Sequence, residues 1–391
     1  MLDYQSIERY LAAWQKIFLK KAWLSNFMKS REKKNKVIYV PKRVGNLYKQ
    51  MCDIDSIKMA IYNSAHGKKN RKSVNKVLQN VDGYAYKIQQ MLINETYKPS
   101  GYHVFEQYDS HCKKSRTICS TAYYPDQIIF WCVINTIKPA IMRGMYEWCC
   151  GSIPNRGIKQ GYRAIKRWLD CDWKNTKYCL KLDIHHFYQS ISHEKLIAMF
   201  EHKIKDKQML HLIATIVNSY STGLPIGNYT SQWFANFYLE SLDHYIKQDL
   251  HIKRYVRYVD DMVLFSHSKK KLHKAYKAIS TYLNKIGLQL KDNYQIFPMK
   301  NRAVDFLGYQ FRRNHIKLRK GDFLLLARQY RKICKKINQH KSISFKMAAG
   351  FMSRYGQLKH CNAYFLKQKF GKHLNLLKEV IRSESKRKCT T

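Results

Sequence analysis

The stretch Arg254–Phe265, RYVRYVDDMVLF, decides how the chain is read. Two runs rich in aromatic and β-branched residues flank the acidic pair Asp260-Asp261. Such runs read as strands, which puts the pair in a tight hairpin turn. The pair is physically odd there. Adjacent carboxylates repel, and a two-residue hairpin loop favours Asn-Gly or Asp-Gly. It makes sense if divalent cations bind, because Mg²⁺ takes oxygen ligands and is commonly held by one or two carboxylates plus substrate phosphates.

A third carboxylate has a similar setting. Asp183 ends the strand-like run YCLKLDI and precedes HHFYQSI. Alone it says little, since an aspartate there commonly caps the next helix. Three aspartates at the ends of two neighbouring strands say more. They could hold two ions about 4 Å apart, the arrangement for in-line attack of a hydroxyl on a phosphoryl group. His185 and His186 follow, and we expect them in a turn or at the surface, because carboxylates already suit Mg²⁺.

The rest of the composition points to the partner. The 391 residues hold 72 Lys and Arg against 27 Asp and Glu, a net charge of +45. A small-molecule enzyme has little use for that self-repulsion, whereas a polyanion neutralises it. Disorder is excluded by a chain that is 45% hydrophobic and 14% aromatic with only 7 Pro. No apolar run approaches the roughly 18 residues of a membrane span. The start, MLDYQSIERY, lacks signal-peptide character, so a cytoplasmic protein is expected. The eleven cysteines include no Cys-x-x-Cys pair, and the adjacent Cys149-Cys150 reads as buried free thiols.

Outward from the acidic pair, further elements follow. Ile7, Tyr10, Leu11, Trp14 and Phe18 have helical spacing ahead of a basic run at Arg31–Lys36. Residues 102–121 read as strands around a turn at Lys113-Lys114-Ser115-Arg116. A helix is predicted from Pro125, with the stripe Ile129, Cys132, Val133, Ile137. The Gly-rich loop 151–161, GSIPNRGIKQG, lacks P-loop spacing. After a loop with Gly223, Pro225 and Gly227, one long helix is predicted through Phe234, Phe237, Tyr238, Leu242 and Tyr245. Beyond about 312 the composition shifts. Phe323, Leu326, Ala327, Tyr330, Cys334 and Ile337 share one helix face, and Arg328, Arg331, Lys332, Lys335 and Lys336 the other.

Tyr258-Val259-Asp260-Asp261 resembles the YxDD box of reverse transcriptases. Four more boxes in family order strengthen the resemblance: KKSRTI (113–118), KLDIHHFYQSI (181–191), GLPIGNYTSQWFANFYL (223–239) and FLGY (306–309). Together they cover roughly residues 100–310. The resemblance implies an α+β, right-hand polymerase with a ferredoxin-like (split βαβ) palm. That palm would be a small antiparallel sheet with helices on one face. The implied order is a basic N-terminal extension (1–40), fingers (41–124), palm (125–198), a return to the fingers (199–226), palm again (227–311) and a helical basic thumb (312–391).

It also implies roles. Asp183, Asp260 and Asp261, with the backbone of Ile184, would hold two Mg²⁺ ions, for which Mn²⁺ could substitute. Arg116 would meet the triphosphate, helped by Lys113 or Lys114, between which the spacing does not decide. Tyr188 would be the bulky gate against a ribose 2′-hydroxyl, though a packed core aromatic is its plainer reading. Ile226, Gly227 and Gln232 would line the nucleotide site. The basic face at Arg328, Arg331, Lys332, Lys335 and Lys336 would track the RNA/DNA primer–template hybrid. An RNA template, deoxynucleotides and a small basic helical accessory protein are the implied partners, with no membrane.

The subtype rests on Ile226-Gly227-Asn228 followed by Ser231-Gln232, which resembles the enzymes of diversity-generating retroelements, as does LKHCNAYFLKQKF (358–370). The Asn-Ala-x-x-His and Val-Thr-Gly expected of retrons are not apparent. Retroelement enzymes of this kind make cDNA from a template repeat and misincorporate opposite adenine. The competing readings are a group II-derived or phage-defence reverse transcriptase and a non-catalytic RNA-binding protein.

Overall fold

A computed structural model describes residues 42–109 and 114–390. The expected extension over 1–40, Lys113 and the side chain of Lys114 lie outside what it describes. From Arg43 onward the chain forms one compact unit.

Four helices open that unit, α1 (Leu47–Met51), α2 (Ile54–Ala65), α3 (Lys72–Leu78) and α4 (Val81–Ile93). Asp53 caps α2 by accepting from Ser56 N–H. Two strands follow, β1 (His103–Asp109) and β2 (Lys114–Ser120), paired antiparallel with Gln107 opposite Arg116. Lys114 and Arg116 therefore lie in a strand and not in the turn predicted for them. The next regular helix, α5 (Ile128–Met142), starts three residues after the predicted Pro125, because a wider π-type turn occupies Tyr123–Gln127. Its stripe of Ile129, Cys132, Val133 and Ile137 is buried as expected.

Helix α6 (Ile158–Cys171) leads to β3 (Tyr178–Asp183). Helices α7 (His193–Glu201), α8 (Lys207–Asn218), α9 (Tyr229–Tyr238) and α10 (Glu240–His244) intervene before β4 (Arg254–Tyr258) and β5 (Asp261–Ser266). The single long helix predicted after the glycine loop is thus two, parted at Leu239, whose backbone leaves the helical range. Helix α11 (Lys269–Lys285) then returns the chain to β6 (Gln295–Pro298).

These strands make one antiparallel sheet in the order β4-β5-β3-β6. With its crossover helices this is a split βαβ topology. Side chains alternate across it and feed two cores. Leu180, Leu182, Tyr255, Met262 and Leu264 join the large helical core. Cys179, Val256, Val263 and Phe265 join a second core with Trp168, Phe306 and Leu326. The expectation of helices on one face alone is corrected. The other face is covered by α6 and by the C-terminal elements, which explains why β4 and β5 read as near-continuous apolar runs.

The C-terminal elements begin with a second sheet of β7 (Val304–Phe306), β8 (Tyr309–Arg312) and β9 (His315–Leu318). The expected composition boundary at 312 falls between two paired strands of that sheet. Helices α12 (Lys320–Asn338), α13 (Phe345–Gln357), α14 (Tyr364–Gly371) and α15 (Leu374–Thr390) complete the chain. Cys149 and Cys150 are buried and free, as read from the sequence. No described helix is long and apolar enough to cross a membrane.

Candidate active site

The three aspartates meet at one end of the first sheet. β3 and β5 pair so that Asp183 lies directly opposite Asp261. β4 and β5 close a two-residue loop, Val259-Asp260, with Tyr258 opposite Asp261. Asp260 is thus the loop residue, and Asp261 opens the returning strand. Like charges directly opposite on adjacent strands are unfavourable. Burial, reinforced by the Asp183 carboxylate, pushes Asp260 up to about 6. Burial pushes Asp261 up to about 7, with the neighbouring aspartates adding to it and Lys181 opposing it.

Two lysines partly offset that repulsion. Lys291 Nζ donates to Asp183 Oδ2 at 2.6 Å, and its backbone N–H donates to Asp183 O at 2.9 Å. Lys181 Nζ lies 3.5 Å from Asp261 Oδ2 and donates to Asp305 O at 2.7 Å. The carboxylates are still not satisfied. Asp183 Oδ1 and Asp261 Oδ1 are enclosed and have no hydrogen-bond partner. Two enclosed carboxylate oxygens without partners, on residues directly opposite each other, suit a hard divalent cation, so the residues fit such an ion. Among the described residues no preformed cage of three or more His, Cys, Asp or Glu is present. Lys291 and Lys181 each lie against one of the carboxylate oxygens, Asp183 Oδ2 and Asp261 Oδ2. Ile184 is fully buried, and the pairing bonds beside it are made by Asp183, His185, Gln289 and Lys291. It could offer a cation only its carbonyl. His185 and His186 are exposed, as expected.

The loop that carries Asp260 is strained. Val259 has φ 57°, a left-handed value where a type II′ turn takes glycine. Its carbonyl is held by Arg257 Nη1 at 2.9 Å. Gly151 makes the room, because a Cβ there would stand 2.4 Å from Val259 Cγ2. Arg257 is itself fully buried. Its Nε and Nη2 meet Asp243 Oδ1 and Oδ2 at 2.8 and 2.5 Å, and Nη1 meets Asn236 Oδ1 at 3.1 Å. A buried guanidinium is tolerated only with such partners. The loop is therefore tied to α9 and α10 through one side chain.

The remaining residues expected at the site divide into groups. Tyr188 is half-buried in a short 3-10 turn, Phe187–Ser190. Its phenol is pushed up to about 12 by burial, with Asp260 adding to the effect and Arg116 opposing it. Asp260 and Arg116 each lie within electrostatic reach of Tyr188. Arg116 is exposed on β2. Ile226 O accepts from Cys119 N at 2.7 Å, which laces the glycine loop to the strand carrying Arg116. Gly227 permits that approach, since its φ is +134° and a Cβ would meet Cys119 O at 2.4 Å. Gln232 is exposed on α9. Arg328, Arg331, Lys332 and Lys335 are exposed on α12, whereas Lys336 is half-buried and bonded to Ser342 O. They share a helix face but are not brought to the carboxylates by any described contact.

Lys291, Arg257 and Asp243 were not anticipated. A signal existed for Arg257, a charge in the middle of an apolar strand, and for Lys181, which lies two residues before Asp183 and so shares its face. Lys291 carried none.

The family model described as "Reverse transcriptase (RNA-dependent DNA polymerase)" matches residues 98–311, more than half of the chain. The chain belongs to the reverse transcriptase family. The match spans β1 to β8, so it contains all three aspartates. Retron Ec73 reverse transcriptase from Escherichia coli is 28% identical over 196 residues, 46% of this chain and 59% of that protein. An "Uncharacterized 91 kDa protein in cob intron" of Schizosaccharomyces pombe is 29% identical over 126 residues, 29% of this chain and 15% of that protein. The chain thus spans under two thirds of the curated relatives it matches. Telomerase from Candida albicans aligns with a TM-score of 0.47 at 11% identity, over 76% of this chain and 65% of that one.

Proposed function

We propose that this reverse transcriptase extends a primer 3′-hydroxyl with deoxynucleotides on an RNA template, using Asp183, Asp260 and Asp261 as the metal-binding carboxylates. One observation carries the reading. Asp183 and Asp261 face each other across paired strands, each with an enclosed oxygen that has no partner. Two divalent ions bound there would activate the attacking hydroxyl and stabilise the leaving pyrophosphate. The chain's own residues do the positioning. The Arg257 bond to Val259 fixes the loop that presents Asp260. Tyr188, within electrostatic reach of Asp260, would be the gate against a ribose, and Arg116 would supply a guanidinium for triphosphate. A purely RNA-binding protein would share the positive charge but has no use for three carboxylates held against one another. Primer extension on an RNA template tests the reading. Asp260→Asn should abolish it while leaving RNA binding intact, and retained extension would overturn the metal assignment.

Within the family we assign the chain to the diversity-generating retroelements, on Ile226-Gly227-Asn228 and Ser231-Gln232. A glutamine at 226 could hydrogen-bond around the nascent base pair, whereas isoleucine offers only shape. Ile226→Gln should lower misincorporation opposite adenine, and an unchanged error rate on a defined template would sink the idea. The second reading is a retron-like enzyme of phage defence, favoured by the 28% identity to the Escherichia coli retron protein. Sequencing the cDNA made from the natural locus separates the two, by template and by adenine errors.

A further inference from the structure

The Gly-rich loop 151–161 meets the carboxylate site at Gly151, and beyond that residue it helps to shape a cleft. Arg156 Nη1 donates to Tyr146 O and Cys149 O, and Gln160 Nε2 donates to Glu147 O. These bonds tie the loop and the first turn of α6 to the segment 146–149, beside a concavity of about 650 Å³. Lys159, Arg163 and Arg167 line it from one face of α6, four residues apart and exposed. Rows four residues apart rise about 6 Å each, so the three charges form a rail about 12 Å long. Like charges at that spacing weaken a helix, and here they are not neutralised from within. The one acid lining the cleft, Asp170, is already held by Lys166 at 2.6 Å. Asp172, just beyond, is held by Arg254 at 2.7 Å. The unspent charge is felt at His360, which is held below its ordinary value by burial first and then by Lys359, Lys159 and Arg163. Trp148 also lines the cleft, half-buried and edge-on to Trp168 with ring centroids 5.5 Å apart.

A cationic rail beside an aromatic ring has the chemistry to bind a single strand, the charges following the phosphates and the ring stacking on a base. The direction is set by β4. Cys150 N donates to Arg257 O near the start of α6, while Asp172 meets Arg254 at its far end. The rail therefore begins behind the Asp260 loop and runs back along the strand. We propose that this cleft binds single-stranded RNA outside the carboxylate site, as a track for template not engaged in pairing. It rests on the polymerase reading only for the name of that strand.

The test is fluorescence-anisotropy binding of the full chain to a short unstructured RNA over a range of salt. Lys159→Gln/Arg163→Gln/Arg167→Gln should weaken binding several-fold. It should also lower the slope of log affinity against log salt by about 2, since each phosphate contact to a single strand contributes about 0.7. One-nucleotide extension of a hybrid with a minimal template overhang should be unchanged. An unchanged slope overturns the proposal, and so does an equal loss of binding to a blunt RNA/DNA hybrid. Photocrosslinking of 5-bromouridine RNA to the unaltered chain guards against a misfolded variant. The crosslinked peptide should contain Trp148, and crosslinks confined to other peptides overturn the proposal. Neither binding arm requires catalysis, so failure here is distinct from failure of the carboxylate assignment, which Asp260→Asn tests by itself.

Discussion

Lys291 Nζ sits 2.6 Å from Asp183 Oδ2, so a lysine already occupies an oxygen that a divalent cation would claim. Pair and ion are alternatives. Both side chains of the pair are about one-third exposed, at 34% and 32%, which keeps its worth near 1 kcal/mol. Lys291→Met should lower the melting temperature in chelator by a few degrees. Adding Mg²⁺ should raise it by more than in the unaltered chain, because the ion no longer displaces an ammonium. Thermal unfolding with and without Mg²⁺ checks this, and equal shifts in both proteins would refute the competition.

The aspartate pair should make the metal-free fold sensitive to pH. Asp261 is pushed up to about 7 and Asp260 up to about 6, both above the value near 4 of an unfolded aspartate. The folded chain therefore keeps protons that the unfolded chain has released. Between about pH 4 and pH 7 each group loses stability as pH rises, and above that window the penalty stays constant. With the Asp261 carboxyl 29% exposed, about 1–2 kcal/mol is at stake. Asp261→Asn should raise the melting temperature by a few degrees at pH 8 in chelator and leave it unchanged at pH 4. A pH-independent difference would contradict the assignment.

Breaking the ion pair behind the loop should be far more costly. Arg257 and Asp243 are both fully buried, and removing one partner strands a charge. Arg257→Met should destabilise the chain by about 3–5 kcal/mol. Pairing it with Asp243→Leu should recover part of that loss, as read by denaturant unfolding in a double-mutant cycle.

Gly227→Ala should act on nucleotide use before stability. Its Cβ would collide with Cys119 O, on the strand that carries Arg116. The expected result is a rise in KM for deoxynucleotides of tenfold or more with the aspartate site undisturbed. Steady-state primer extension measures it, and a change in kcat alone would point elsewhere.

Tyr188→Ala removes the ring proposed as the gate against a ribose. Ribonucleotide incorporation should rise relative to deoxynucleotide incorporation, by about one to two orders of magnitude if the clash is worth 1–3 kcal/mol. An unchanged ratio would leave Tyr188 as packing.

Much of this was legible in the sequence, and the exceptions have physical causes. The strand–loop–strand at 254–266 could be read because its apolar runs are bounded by charge. The near-continuous apolar runs of β4 and β5 hinted that both sheet faces are buried, but what covers the second face was not legible, because it is supplied by residues far along the chain, such as Leu326 and Phe351. Asp183 and the Asp260-Asp261 pair were read as lying at the ends of neighbouring strands, but the register that sets Asp183 opposite Asp261 is not encoded in either strand alone. Lys291 stayed invisible for the same reason. It reaches Asp183 only because Ile184 bridges to Leu290 across the sheet. The start of α5 was misplaced because Pro125 suits a first helical turn in isolation, and the wider turn there depends on its surroundings.

The sheet that presents the aspartates is a wall shared by two cores, with neighbouring residues of β5 committed alternately to each. Neither core can melt without taking a face from the same strands. Gradual inactivation through a half-folded but competent form is thereby closed off. Loss of polymerisation on heating should coincide with loss of the whole fold, so residual activity after a heat pulse counts intact molecules rather than damaged ones.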